Sequence, residues 1–359
     1  MGLQGKILVG TTKGLLHLDL HKGHWEVTKV DFPGLPVSMI YYDYGSGKCW
    51  VGLSMKHWGP KLFRARNGLD MWQELSAPLY PEGVITSKGK PAALRLIWSA
   101  YYDRNQERLW IGTEPGGLFT NNAADDTFLL NAALWNHPTR REHWFGGGRD
   151  DAGIHTILGH PTEPDFLLVG VSCGGVYTTH DAGKTWDEKN RGLRADYLPN
   201  PTGPHGHDPH AIKICQDHPS TIWQQNHCGV FVSHDLADTW QDVTPADEFG
   251  RYGFALAIDD GDPLRAWIIP AESDENRVAK DLRLVVSMTE DGGKSWTKQT
   301  EGLPQQDCFD LVFRHALDRQ QGLMCFGTTT GNLFISENDG SSWIQAGSFL
   351  PPIHSVLCI

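Results

Sequence analysis

The chain has 359 residues, with 31 Lys and Arg against 43 Asp and Glu, a formal net charge of −12. That balance disfavours nucleic acid or an anionic membrane as a bulk partner, while leaving room for a local basic pocket. Forty Gly, 21 Pro and a hydrophobic share of 40%, with 14 Trp and 14 Phe, point to many short strands and turns around a large core.

The opening "MGLQGKILVGTTKG" has no long apolar run and passes almost at once into a strand pattern, so no signal peptide is expected. No segment offers the roughly 18 consecutive apolar residues of a membrane helix. Seven cysteines without a CxxC pair read as reduced thiols, and the expected location is cytoplasmic.

Read in chain order, the strands fall into units that repeat. The first holds "ILVGT", "GLLHL" and "LDLHKGHW", ending at Trp25; the second "VSMIYYD", "CWVGL", "KLFRA" and "ARNGLDMW", ending at Trp72. The third holds "LRLIWSAYYD", "LWIGT", "GLFTN" and "NNAADDTF", ending at Phe128; the fourth "IHTILGHP", "LLVGV", "GVYTT" and "TTHDAGKTW", ending at Trp186. The fifth holds "HAIKICQDHP", "IWQQN", "GVFVS" and "VSHDLADTW", ending at Trp240; the sixth "FALAIDD", "WIIP", "LVVSM" and "MTEDGGKSW", ending at Trp296. The seventh holds "DLVFRHALD", "MCFGT", "NLFIS" and "ISENDGSSW", ending at Trp343. A period of roughly 50 residues with four short strands per unit predicts an all-β propeller of seven four-stranded antiparallel blades, residues 1–359 forming one domain. The first unit lacks its leading strand. The chain end "IHSVLCI" matches "IHTILGH" at 154–160 in its first two positions, so it is expected to supply that strand and close the ring.

The pattern Ser/Thr-x-Asp-x-Gly-x-Thr/Ser-Trp, clear in the last four units, resembles the Asp box, or BNR repeat, of sialidases, sortilin-type receptors and photosystem II assembly factors. Asn338 replaces the Asp in the last copy and Ala237 the Gly in the second of these four. The Asp is expected to bond backbone N–H groups of its own turn, the Gly to supply a positive φ, and the Trp to pack between blades. The resemblance implies a propeller in which the connections between blades and the turns between second and third strands share one face, opposite the Asp boxes. Sialidases carry an Arg motif near the start that is not found here, so sialidase activity is not implied. Photosystem II assembly factors act as binding scaffolds. Seven-bladed oligouronide lyases use a His-rich metal site, and only that chemistry is similar.

That expected face gathers the unusual residues. "TGPHGHDPHAIKI" holds His205, His207, Asp208 and His210, and "QNHCG" holds Asn226, His227 and Cys228. His207, His210 and His227 are candidate ligands for a divalent ion such as Zn, Mn or Fe, with Asp208 or Glu272 completing the shell or orienting a ring. Metal-free acid–base or ligand-binding roles, and purely structural ones, stand beside that reading. His155, His210 and Glu272 are the candidate catalytic groups. Arg149 in "FGGGRDDAG" offers a fork of donors to an anion, and His143, Trp144, Arg277 and Asn226 are candidate substrate contacts. The expected function is a hydrolase or lyase, glycoside hydrolase-like or lyase-like, acting on a small polar, carbohydrate-like or carboxylated substrate. The alternative is a non-catalytic assembly propeller with a protein partner. Nucleic acid and membrane are not expected partners.

Overall fold

A computed structural model describes residues 5–55, 57–66, 68–121, 127–247 and 249–359. The weak box copies at "NNAADDTF" and "ARNGLDMW", and the turns "LSMKHWGPK" and "PADEFGRYG", fall partly outside these described residues.

Seven four-stranded antiparallel sheets form the seven-bladed β-propeller. In chain order of their inner parts, the first sheet is Ile353–Cys358, Lys6–Thr11, Gly14–His21, His24–Asp31. The second is Val37–Asp43, Lys48–Met55, Gly59–Arg66, Met71–Leu75. The third is Leu96–Asp103, Arg108–Glu114, Leu118–Asn121, Phe128–Leu130. The fourth is Ile154–Gly159, Leu167–Val171, Gly175–Thr179, Asp187–Glu188. The fifth is Pro209–Ile214, Ile222–Asn226, Gly229–Ser233, Gln241–Asp242. The sixth is Gly253–Ile258, Ala266–Pro270, Val286–Thr289, Thr297–Gln299. The seventh is Leu317–Gln320, Leu323–Gly327, Leu333–Ser336, Ile344–Gly347.

The backbone divides into two compact units: residues up to Val37 with Trp223–Val232 and Asp242–Ile359, and Ser38–Ile222 with Ser233–Gln241. In the first unit the chain ends share a sheet as expected. Ile7 pairs with Cys358 and Val9 with Val356, and Lys6 and Ile359 exchange backbone bonds of 2.9 and 2.7 Å. Ile353, Val356 and Cys358 bury their side chains with Ile7, Val9, Leu16, Leu333 and Ile335. A second cluster gathers Trp267, Phe326, Phe334 and Trp343. In the second unit one core joins Trp110, Val169, Tyr177 and Trp186, and another joins Trp50, Ile97, Tyr102 and Phe119.

The repeated turns have one geometry. Asp181 accepts from the backbone N–H of Lys184 (3.0 Å) and Thr185 (2.9 Å) and from the Thr185 hydroxyl (2.7 Å). Asp235 and Asp291 repeat this with Thr239 and Ser295; Asn338 accepts from Ser342 N–H at 3.0 Å and donates its amide N–H to the Ser342 hydroxyl at 2.9 Å. Each turn holds two consecutive residues at positive φ: Ala182 and Gly183, Leu236 and Ala237, Gly292 and Gly293, Asp339 and Gly340. These bonds hold the carboxyls of Asp181 and Asp291 down at about 2, chiefly the Thr185 N–H for the former and the Ser295 hydroxyl for the latter. The anchoring Trp packs between sheets: Trp186 lies in the core with Trp110 of the third sheet and donates its indole N–H to Asn131 at 3.1 Å.

Two features depart from the sequence reading. The run "DLVFRHALD" is extended pairing only from Leu317 onward. Before that, Leu311 O accepts from Thr329 N–H at 2.9 Å and His315 O from Val356 N–H at 2.8 Å, so its backbone is satisfied outside a regular ladder. The connection after the third sheet contains short helices, Ala132–Trp135 capped by Asn131 and Pro138–His143 with Pro at its first position. No helix among the described residues is long and apolar enough to cross a membrane.

Candidate functional site

In the second unit, the connection running into the fourth sheet is clasped from two sides. Phe145 N–H bonds Cys173 O at 3.2 Å, and Gly153 O accepts from Ser172 N–H at 2.9 Å, both toward the turn between the second and third strands of the fourth sheet. On its other side Gly153 lies so close to Trp98 that an added Cβ would stand 2.6 Å from the indole and 3.4 Å from the Glu114 Cβ. Only glycine lets the two turns approach this closely.

Around this clasp lies an ion-pair network. Arg95 Nη2 donates to Asp151 Oδ2 at 2.6 Å and to Glu114 Oε1 at 3.4 Å, and Arg149 Nη1 donates to Glu114 Oε2 at 2.6 Å. Both carboxylates are buried, at 5% and 6% exposure, whereas the Arg95 and Arg149 side chains are 38% and 46% exposed. Arg149 also stacks its guanidinium 4.5 Å from the Trp98 ring centroid. A guanidinium carries five N–H donors, so both arginines keep donors for an external anion.

The clasp continues to the entry of the fifth sheet. Asp208 Oδ1 accepts from Cys173 N–H at 2.9 Å and from the Ser172 hydroxyl at 3.3 Å, and Asp208 Oδ2 lies 3.3 Å from His210 Nε2. A carboxylate that holds one imidazole nitrogen fixes the ring and its tautomer, as an orienting group does for a proton-transfer histidine. His207 is buried and pairs Nε2 with Gly203 O at 2.7 Å; desolvation pushes its pKa down, which favours the neutral ring. His155 is also buried, with Nδ1 2.9 Å from Thr156 Oγ1 and its ring edge-on to Trp98.

His143 stacks on His205 with ring centroids 4.1 Å apart, and His205 Nδ1 lies 2.6 Å from Glu188 Oε2. Burial pushes the Glu188 carboxyl up against the lowering effect of His205. Trp144 is placed in the core rather than at the surface and donates its indole N–H to Tyr177 at 2.8 Å.

The remaining sequence candidates lie in the first unit. Asn226 is fully buried; its amide donates to Gln224 at 3.0 Å and accepts from Cys228 N–H at 3.1 Å. His227 packs edge-on against Tyr252. Glu272 accepts from Lys280 Nζ at 3.0 Å and Asp281 N–H at 3.1 Å, and these bonds, the Asp281 N–H first, lower its pKa. Arg277 donates to Asp274 at 2.6 Å.

Arg149, His210 and Asp208 stand out in the sequence, whereas Arg95, Glu114 and Asp151 do not. Glu114 ends the strand Arg108–Glu114 in "TEPGG", and the only local signal it carries is an acid beside Pro-Gly-Gly.

No family profile matches the chain. It is 23% identical over 273 residues to an oligoxyloglucan-reducing end-specific xyloglucanase of Emericella nidulans, covering 68% of this chain and 31% of that protein. A probable enzyme of the same description from Neosartorya fischeri is 25% identical over 219 residues, 52% of this chain and 25% of that one. The chain thus spans about a third or less of the curated relatives it matches. Among solved structures, a GH74 enzyme of Niastella koreensis aligns over 97% of this chain and 55% of its own at TM-score 0.62 and 14% identity. The protein YCF48, solved bound to a D1 peptide, aligns over 93% and 89% at TM-score 0.55 and 13% identity. The fold is shared with the GH74 enzyme and with YCF48.

Proposed function

We propose that the chain is a hydrolase or lyase acting on a carbohydrate-like substrate that carries a carboxylate. The observation that carries this reading is the pair of half-exposed arginines, Arg95 and Arg149, held in place by buried Glu114 and Asp151. Buried carboxylates fix the guanidinium planes, and the outward donors read a planar anion in bidentate fashion. His210, oriented by Asp208, is the proton-transfer group. The similarity to xyloglucan-acting enzymes supports a sugar framework, and the repeated turns support an Asp-box propeller.

Metal assistance is the other form of this reading, in which Asp208 and His210 serve as ligands and His210 is not the proton-transfer group. Asp208 and His210 offer one carboxylate oxygen and one imidazole nitrogen within 4.8 Å of each other, a donor pair suited to Zn, Mn or Fe. Such an ion would polarise a substrate oxygen or lower the pKa of a bound water. The ligand set expected from sequence, His207, His210 and His227, is tested by replacing each in turn and measuring metal content.

Activity is to be assayed on neutral xylo-oligosaccharides and on oligouronides, following new reducing ends for hydrolysis and unsaturated products for elimination. Arg149→Met is expected to raise KM for the uronides, and His210→Ala to lower kcat by about 10²–10⁴, the usual contribution of a positioned acid or base. Unchanged kcat in His210→Ala, with turnover retained, removes the assignment. The binding-scaffold reading is favoured by one separate observation, the exposure of Trp58 and Leu79 at 78% and 77%. Peptide binding lost on replacing both, without any turnover in the wild type, would establish that alternative.

A further inference from the structure

Two connections in the second unit meet and leave a strip of four part-exposed rings. The one entering the fourth sheet carries His143 and Phe145, and the one leaving it for the fifth sheet carries Tyr197 and His205. His143 lies flat on His205, with ring centroids 4.1 Å apart and planes within 13° of parallel. Phe145 meets Tyr197 edge to face at 6.3 Å. Gly206 joins the two pairs. It follows His205, its carbonyl accepts the Tyr197 hydroxyl at 2.8 Å, and an added Cβ on it would stand 3.5 Å from Phe145 Cε1. None of the four rings is sealed: Phe145 and Tyr197 are 37% and 39% exposed, and the side chains of His143 and His205 are 38% and 32% exposed.

The strip is held from behind. Phe145 N–H bonds Cys173 O at 3.2 Å and Cys173 N–H bonds Asp208 Oδ1 at 2.9 Å, so one turn of the fourth sheet ties down both connections. Glu188 Oε2 lies 2.6 Å from His205 Nδ1, and Asn190 donates to Glu188 Oε1 at 2.8 Å and to Pro204 O at 2.9 Å. A ring fixed in this way lowers the ordering cost that falls on a ligand. The residues after Phe145 form a tight turn in which Arg149 N–H bonds Gly146 O at 2.7 Å. Such a turn keeps its end Cα atoms within about 7 Å. The strip therefore begins one turn away from the backbone that carries the anion-binding arginine.

Exposed apolar surface on ordered loops marks a ligand groove or a partner surface. One phenyl, one phenol and two imidazoles offer apolar faces with polar edges. That combination suits rings that have C–H faces and hydroxyl rims. We propose that the strip binds consecutive units of an oligosaccharide, so that the substrate is a chain rather than a single sugar acid. The unit taken by Arg149 is one of that chain, and its neighbours lie on Phe145, Tyr197 and the His143–His205 pair. This inference rests on the carbohydrate reading above, and is independent of the proton-transfer or metal chemistry that follows binding.

The test is calorimetric titration with tetragalacturonate, galacturonate and xylotetraose. Tetragalacturonate is expected to bind at least about tenfold more tightly than galacturonate. Phe145→Ala and Tyr197→Ala should each weaken both tetramers about three- to tenfold, the worth of one ring contact, and leave galacturonate unchanged. Tyr197→Phe, which keeps the ring and loses the bond to Gly206, should bind as the wild type does. Tyr44→Ala, 49% exposed but outside the strip, is the control. Arg149→Met separates the two readings, because it should weaken galacturonate and tetragalacturonate and leave xylotetraose unaltered. If it changes nothing while the strip variants still weaken both tetramers, the arginine clamp fails and the strip stands. Equal affinity for tetragalacturonate and galacturonate overturns the proposal. So does the absence of saturable tetramer binding, or tetramer affinity unchanged in both Phe145→Ala and Tyr197→Ala when melting curves show them folded.

Discussion

Ile353 provides the sharpest test of how the chain end holds the first sheet. The residue is fully buried, and it lies against Gly327 of the seventh sheet so closely that an added Cβ there would stand 2.3 Å from Ile353 Cγ2. Its backbone N–H is fixed to Thr328 O at 3.0 Å. Ile353→Ala removes three carbons from a site bounded by backbone on one side and by the Lys6–Thr11 strand on the other. Neither wall is free to collapse, so the cost belongs near the middle of the 2–5 kcal/mol range for such truncations, about 3 kcal/mol. An unfolding entropy of about 2.1 cal/mol/K per residue over the chain converts this to a fall in Tm of roughly 4 °C. Ile344→Ala, on the outer strand of the seventh sheet and 51% exposed, is the control and should lose less than about 1 kcal/mol. Thermal unfolding followed by circular dichroism at one scan rate measures both. If the two variants melt together, the closing strand is not packed as described. Truncation after Pro352 should go further and expose the Lys6–Thr11 edge, giving an aggregating protein; a soluble, equally heat-stable truncation would contradict the pairing of the chain ends.

The box turns should titrate unequally. Asp181 and Asp291 have carboxyls held at about 2, below the ordinary value of about 3.9, so their contribution is complete above that ordinary value and is lost as pH falls through about 2. Amide exchange at Thr185 and Ser295 should therefore accelerate over that window, beyond the intrinsic pH dependence, while Ser342, bonded to the non-titrating Asn338, should not; parallel behaviour of all three would show that the carboxylates do not hold these turns. The seven cysteines are all buried, and burial pushes Cys49 up to about 12 and Cys308 to about 11. A thiol reagent should accordingly label the native protein only at its unfolding rate, and fast stoichiometric labelling without denaturant would refute that burial.

The fold was legible because its determinants are local and repeated. Each of the last four anchor tryptophans follows a turn in which an Asp or Asn side chain satisfies a backbone N–H four residues on, so that the turn between the last two strands of the unit is set locally. Trp186, Trp240, Trp296 and Trp343 needed no tertiary information to be placed. The run at 310–318 misled because its apolar residues, Leu311, Val312 and Phe313 with Ala316 and Leu317, form the kind of short run that leads the other units. Its carbonyls instead meet Thr329 and Val356 in irregular backbone, a choice made by partners elsewhere in the chain. The site was half legible for the same reason. His210 and Asp208 are two residues apart and advertised themselves, whereas Arg95, Glu114 and Asp151 meet only after folding, and a single arginine before a strand carries no local signature. Trp144 is a candidate substrate contact by type, but its N–H bonds Tyr177 and its ring lies in the core.

The arginine network separates stability from recognition in a way that can be measured. Asp151 is buried, and its close cationic contact at 2.6 Å is Arg95; Glu114 faces both Arg95 at 3.4 Å and Arg149 at 2.6 Å. Arg95→Met therefore leaves a buried carboxylate facing an apolar stem, a change of the kind that costs about 3–5 kcal/mol, somewhat less here because the arginine is itself part-exposed. Arg149→Met leaves Glu114 with Arg95, so its cost in stability should be the smaller of the two, while its loss to an anionic ligand should be at least as large, since Arg149 is the more exposed donor. The two variants should consequently rank in opposite order by melting temperature and by uronide affinity: Arg95→Met the less stable, Arg149→Met the weaker binder among the folded proteins. The same order in both assays would mean that the network is structural throughout, and that the carboxylate-bearing substrate has to be sought at another site.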